Sequence, residues 1–268
     1  NKDIVWTVTL TWVASANCGL LCGAKIDFVD INEKNLNICV DSLNKKLINA
    51  KKNNKLPKVL VVVHFAGNPS NLNKIFKLSK KYNFKIIEDA AHALGSSYEK
   101  SKIGSCKFSD LTVFSFHPLK PITTGEGGVV TTNSKKIFEK LLLLRNHGLT
   151  KDKKKLSIKK YHNWYYEQKI LGFNYRMNEI EATLGITQLK KLNFFNKKRN
   201  IIAKKYVKGF LDHNIDYQKV VVGSYSSYHL FVILFPNTKK ITSNYDKIFR
   251  EFHRENISVM LHYFPVHL

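Results

Sequence analysis

The side chains with the greatest chemical potential in this sequence fall in three short stretches: residues 88–92 (EDAAH), 115–128 (SFHPLKPITTGEGG) and 172–176 (GFNYR). Lys120 follows Pro118 and precedes Pro121, on a loop that leaves an apolar run. Desolvation in such a loop lowers a lysine pKa towards the nucleophilic range. Ser115 offers a hydroxyl to a phosphate oxygen, and Asp89, at the end of a strand-like run, offers a carboxylate to a cationic ring nitrogen. An imine-forming lysine, an acid for a pyridinium and a phosphate anchor are together what pyridoxal 5′-phosphate (PLP) chemistry requires. None of these groups specifies that chemistry alone. A Pro-flanked lysine is commonly surface, an Asp at a strand end commonly a helix cap, His92 by itself a structural histidine, and GEGG by itself a hairpin turn. Their order and context carry the reading.

Such groups must be positioned by something, and the flanking sequence has the pattern of alternating strands and helices. Residues 25–31 (KIDFVDI) alternate as a strand, and 59–64 (VLVVVH) form a continuous β-branched run, as a strand covered on both faces would. Residues 71–82 have helical spacing of Leu72, Ile75, Phe76 and Leu78. Strands are expected at 84–88, 111–116 and 128–132, the last two flanking a Gly-bearing turn. This is an α/β pattern of βαβ units and a mostly parallel sheet, whose ligand sites lie at the carboxyl ends of the strands. That rule selects Asp89 and the segment after Phe116. A long helix is expected over 178–210, opened by the capping-box pair Asn178 and Glu181. After it come an expected strand at 228–235, a helix at 243–255 and a strand at 259–263, read as a small α+β domain. The domain division is therefore 1–192, the large domain, and 193–268, the small one.

Charge is the loudest bulk feature and the least specific. Among the 268 residues, 44 are Lys or Arg and 20 are Asp or Glu, for a net charge of +24. Only Arg145, Arg176, Arg199, Arg250 and Arg254 are arginines, and base readout favours the planar arginine fork, so specific nucleic-acid binding is a poor match. A solvated lysine-rich surface is the expectation, at most assisting an anionic substrate. Cys18, Cys22, Cys39 and Cys106 contain no CxxC pair, so neither a metal site nor a disulfide framework is expected; buried thiols in a reducing cytosol are. No apolar run reaches about 18 residues, and no leader is visible, so membrane insertion is not expected and the cytoplasm is.

With these motifs in place, the sequence resembles the DegT/DnrJ/StrS-type sugar aminotransferases, PLP enzymes of fold type I (aspartate aminotransferase-like). TWVASAN, GAKIDFVDI, VVHFAGN, IIEDAAHALG, SDLTVFSFHPLKPITTGEGG, LRNHG, LGFNYRMNEIEATLGITQLKKL and HYFPVHL all stand in the family's order. HFAGN, SFHPLKPITTGEGG and WYYEQKILGFNYR look most like members that act in pseudaminic acid biosynthesis. The resemblance implies that Lys120 joins the cofactor and then shuttles a proton between cofactor and sugar carbons. It implies that Asp89 pairs with the pyridine nitrogen, His92 lies beside the cofactor's phenolic oxygen, Ser115 binds the phosphate and Trp12 stacks on the ring. Asn174 would reach the cofactor phosphate of the other subunit, which makes a homodimer with shared active sites the expected unit. His229, His262 and His267 fall where small-domain residues approach the sugar. Relatives that dehydrate sugars carry His in place of this lysine, so Lys120 favours aminotransfer. The implied substrate is a UDP-linked 4-keto-6-deoxy-N-acetylhexosamine, with glutamate as the amino-acid donor. Other 4-keto nucleotide sugars (bacillosamine-, legionaminic- or perosamine-type) and an inactive, polyanion-binding relative are the alternatives. The chain begins without Met and after the family's phosphate-binding Gly-Thr-Ser-Ala-like turn, and it stops before the last helix, so both ends are expected to be truncated.

Overall fold

Residues 59–63 read VLVVV, and a run with no polar face forms a strand only where both of its faces are covered. A computed structural model, describing residues 3–158, 162–211, 213, 215–236, 238, 241 and 243–268, places it inside a sheet. The first half of the chain forms β1 (Ile4–Val8), β2 (Lys25–Val29), β3 (Val59–Val63), β4 (Lys85–Asp89), a short hairpin of β5 (Ser97–Tyr98) and β6 (Ser101–Lys102), then β7 (Leu111–Ser115) and β8 (Gly128–Thr131). In space the main sheet runs β2-β1-β3-β4-β7-β8, parallel except for β8, which pairs antiparallel with β7. This is the expected α/β architecture with a mostly parallel sheet.

Helices α1 (Ala14–Leu21), α2 (Val40–Lys52) and α3 (Leu72–Tyr82) connect the parallel strands. The Asn71 side chain caps α3 by accepting the Lys74 N–H, and the helix buries Leu72, Ile75, Ser79 and Tyr82 along one face. Leu43, Leu47 and Ala50 of α2 join the same core, with Trp6, Val8, Leu60, Val62 and Ile86 of the sheet. Because β1, β3, β4 and β7 run the same way, Val8, Val63, Asp89 and Ser115 all end at one edge of the sheet. The candidate site lies along that edge.

Beneath this edge sits a buried polar clamp. His64 Nδ1 accepts the Ser70 N–H at 3.0 Å, so its Nε2 donates to Glu88 Oε2 at 2.7 Å. Thr112 donates to Glu88 Oε1 at 3.0 Å and Ser109 donates to the same oxygen. Burial alone pushes the Glu88 carboxyl up, but His64 and the two hydroxyls outweigh it and hold it below the usual carboxylate range. A depressed carboxyl stabilises the fold above its unfolded pKa, and that contribution disappears as pH falls through its folded pKa. Replacing His64 with Ala leaves this charge buried without its main partner and is expected to cost about 3–5 kcal/mol at neutral pH. Urea titrations across pH check this: the gap from wild type should narrow as pH falls through the ordinary carboxylate range and on through the depressed folded pKa of Glu88, where the carboxyl takes up a proton in both proteins.

The second half contains α4 (Lys135–Leu144), the paired β9 (Leu149–Thr150) and β10 (Glu167–Gln168), and α5 (Glu179–Leu211). It continues through β11 (Asp216–Tyr217), β12 (Ser224–Tyr225), β13 (Ile233–Leu234) and α6 (Tyr245–Arg254). The capping box forms as expected: Asn178 Oδ1 accepts the Glu181 N–H at 2.9 Å and Glu181 Oε2 accepts the Asn178 N–H at 3.0 Å. One expected strand forms only in part, and another does not form. Over 228–235 only Ile233–Leu234 pairs, with β11, because the preceding residues are used elsewhere. The Ser227 and Leu230 N–H groups donate to Gly67 and Ala66 carbonyls, both at 3.3 Å, and Tyr228 turns at φ 44°. Residues 259–263 likewise stay irregular and return to the sheet edge, where the Val266 N–H donates to the Thr9 carbonyl at 3.0 Å.

The cysteines also depart from expectation. Only Cys106 is buried, while Cys18 and Cys22 are exposed because α1 turns Ser15, Ala16 and Gly19 inward. Among the described residues no helix is long and apolar enough to cross a membrane.

Candidate active site

Asp89 is the last residue of β4, and its carboxylate is held from two sides. Ser15, in the first turn of α1, donates to Oδ2 at 2.6 Å, and the Ala91 N–H donates to Oδ1 at 3.1 Å. The Ser15 and Thr11 hydroxyls are 2.8 Å apart, so a short hydroxyl relay runs from the β1–α1 connection to Asp89. A carboxylate has about four lone-pair positions, so Asp89 keeps acceptor capacity for one more N–H.

Lys120 lies on the turn after β7, its N–H donating to the His117 carbonyl at 2.9 Å. Burial lowers its amine pKa, and the charge of Asp89 works against that shift. Ser115 ends β7, and its hydroxyl oxygen accepts the His117 N–H at 3.3 Å, leaving its own proton for another acceptor. Trp12 is 60% exposed, so its indole face is open above this edge.

Three of the four expected histidines converge here. The His92 and His229 rings are 4.4 Å apart, and Lys120 acts electrostatically on His92, His229 and His262. Burial first, then the charges of His229, Lys120 and His262, brings His92 down to about 2. Burial, Lys120, Arg199 and His262 bring His229 down to about 3, and burial and Lys120 lower His262. His267 is exposed, with its ring 6.0 Å from Phe28 of β2. Asn174 is exposed too, bridged to Asn146 and accepting from Arg176 Nε at 3.1 Å.

Residues outside the sequence reading complete the cluster. Tyr263 Oη is 3.1 Å from His92 Nε2, and its ring meets Trp12 at 5.7 Å and Phe65 at 6.0 Å. Burial and the Asp89 charge push the Tyr263 phenol up to about 12. Tyr263 stands in HYFPVHL next to His262, and Ser15 in TWVASAN, so both were in quoted motifs. Neither spacing nor residue type marks them; only the returning backbone brings Tyr263 to His92. Gly67 explains another part of the motif set. At φ +90° a side chain is strained, and a Cβ there would come within 2.9 Å of the His92 carbonyl and against Ser227 Oγ.

The family model for DegT/DnrJ/EryC1/StrS aminotransferases matches residues 1–268. The chain belongs to this family. It is 40% identical over 99% of its length to a UDP-4-amino-4,6-dideoxy-N-acetyl-beta-L-altrosamine transaminase of Campylobacter jejuni, of which the match covers 66%. It superposes on Helicobacter pylori PseC, an aminotransferase involved in pseudoaminic acid biosynthesis, with a TM-score of 0.87 at 33% identity, covering 100% of this chain and 67% of PseC. A sugar aminotransferase, Spr1654 of Streptococcus pneumoniae, solved in a PLP form, matches with a TM-score of 0.82 at 25% identity, covering 98% of this chain and 68% of that one. The chain thus spans about two thirds of the length of these family members. The DegT-family fold is the expected fold type I, and PLP is the family's cofactor. The donor set here fits it: a desolvated lysine amine, a carboxylate with spare acceptor capacity, a hydroxyl with a free proton and an open indole face.

Proposed function

We propose that this protein is a PLP-dependent nucleotide-sugar 4-aminotransferase, converting a UDP-linked 4-keto-6-deoxy-N-acetylhexosamine to its 4-amino sugar with glutamate as donor. The observation that carries the reading is Lys120, an amine with a lowered pKa on the loop beside the held carboxylate of Asp89. PLP bound here supplies an electron sink for bond breaking at the amino-bearing carbon. The remaining work belongs to this chain's side chains.

Lys120 would anchor the cofactor and, as a free amine, would carry a proton between carbon centres, which its lowered basicity suits. Asp89, held still by Ser15 and the Ala91 N–H, would keep a proton on the ring nitrogen. Ser115 would bind the phosphate, Trp12 would cover the ring, and His92 would border it. His229 and His262, both under the influence of the Lys120 charge, would approach the sugar, as would His267 beside Phe28.

In the same reading the active unit is a cytoplasmic homodimer in which Asn174, exposed on its loop, serves the partner's cofactor phosphate. Exposed aromatic surface on the same stretch, Trp164 at 71% and Tyr175 at 72%, favours a second copy covering it. The division into a large domain (1–192) and a small one (193–268) belongs to this proposal as well.

The test is a panel of 4-keto UDP- and GDP-sugars offered to the full-length protein with glutamate, reading 2-oxoglutarate and amino sugar by mass spectrometry. Amination of the UDP-linked N-acetylhexosamine ahead of the others is the expected result. Preference for a GDP-sugar would replace the substrate, and no amination of any keto sugar would overturn the activity.

A further inference from the structure

The hydrogen bonds around His92 determine where a proton is left over. Ala66 sits in a left-handed turn at φ 59°, which points its N–H at His92 Nδ1, 3.3 Å away. An N–H donor at Nδ1 requires that nitrogen to be an acceptor, so it carries no proton. His92 is buried, and burial keeps its ring neutral; the single ring proton is then on Nε2. Nε2 faces Tyr263 Oη at 3.1 Å, so the imidazole donates and the phenol accepts. The phenol therefore does not spend its own proton on His92. No other hydrogen bond engages Tyr263 Oη among the described residues, although the group lies within the cluster of Lys120, Asp89, His229 and His262.

We propose that the Tyr263 hydroxyl is a further hydrogen-bond donor of this site, oriented by His92 towards an electron-rich oxygen of the ligand held at Lys120 and Asp89. The proposal rests on the aminotransferase reading for the identity of that ligand. The shared chemistry is a carbonyl or phenolate oxygen, which PLP and a keto sugar both possess. Packing supports the role: Trp12, Phe65 and His262 contact the Tyr263 ring, with the His262 ring centre 4.7 Å away, and fix its plane. A phenol pushed up to about 12 stays protonated across any working pH, so it donates without titrating. Residues 259–263 thus serve the site by returning irregularly to the sheet edge and bringing Tyr263 to His92.

The experiment uses the full-length protein with ¹⁵N-labelled histidine, as wild type and as Tyr263→Phe, which keeps the ring packing and removes only the hydroxyl. Without cofactor, long-range ¹H–¹⁵N spectra should show a neutral His92 with its proton on Nε2 from pH 6 to 9 in wild type. A proton on Nδ1, or a charged ring, overturns the proposal whatever the activity. With PLP as the probe, Tyr263→Phe should raise the PLP Kd about fivefold if the acceptor is on the cofactor. If the acceptor is on the sugar, the PLP Kd stays unchanged and kcat for keto-sugar amination falls about 10- to 100-fold with KM within about threefold. Unchanged PLP Kd and unchanged kcat together overturn the proposal. Wild type that binds PLP but aminates no keto sugar defeats the aminotransferase reading instead; the spectra and the PLP Kd then decide the hydroxyl, an unchanged Kd counting against it.

Discussion

Lys120→Ala in the full-length protein is expected to abolish turnover, lowering kcat by about 10⁴-fold or more, and to remove the visible absorption band of lysine-bound PLP. Two functions disappear with one side chain, the covalent anchor and the proton carrier, so the loss exceeds that from removing either alone. Lys120→Arg separates charge from chemistry. Arginine keeps the positive charge near Asp89 but does not give up its proton in the working range, so it should be as inactive as Ala. Folding should survive both changes, because Lys120 is on a loop and no buried ion pair holds it among the described residues. Thermal melts of the cofactor-free variants within a few degrees of wild type would show this. An active Lys120→Arg enzyme would mean that another group moves the proton.

Asp89→Asn carries the second largest expected effect, about 10²- to 10³-fold in kcat with the PLP band retained. The amide is nearly the same size as the carboxylate, yet it removes the negative charge that keeps a ring nitrogen protonated. The local hydrogen bonds argue that geometry survives. The Ala91 N–H can still donate to the amide oxygen, and the Ser15 hydroxyl can turn to accept from the amide NH2 in place of donating. Ser15→Ala is the companion measurement: it leaves the charge, removes one donor and should cost no more than about tenfold. A Ser15→Ala defect as deep as that of Asp89→Asn would shift the weight of the account from charge to placement.

Most of the framework was legible in the sequence because it rests on local rules. VLVVV had to be covered on both faces, the spacing of Leu72, Ile75, Phe76 and Leu78 marked one helix and the Asn178–Glu181 pair the start of another, and the parallel order then forced Asp89, Ser115 and the Lys120 loop to one edge. The second half was less legible for a physical reason. Residues 228–235 and 259–263 have strand composition, but the backbone in or beside them bonds to turns of the first half: Ser227 to Gly67, Leu230 to Ala66 and Val266 to Thr9. Such long-range pairing outcompetes β propensity and leaves no periodic trace. Tyr263 and Ser15 were missed in the same way: each acts through a contact at large sequence separation, 171 residues to His92 and 74 to Asp89. The histidines are the intermediate case. Their type drew attention to four positions, and the fold sorted them, gathering His92, His229 and His262 around Lys120 and leaving His267 beside Phe28.

The central claim, that Lys120 is the residue that holds PLP, has one direct measurement. Full-length protein loaded with PLP is reduced with borohydride, digested and mapped by mass spectrometry. The account predicts a phosphopyridoxyl group on the peptide containing Lys120, in stoichiometric yield. The same label on a different lysine, or loaded protein that acquires none, would contradict it.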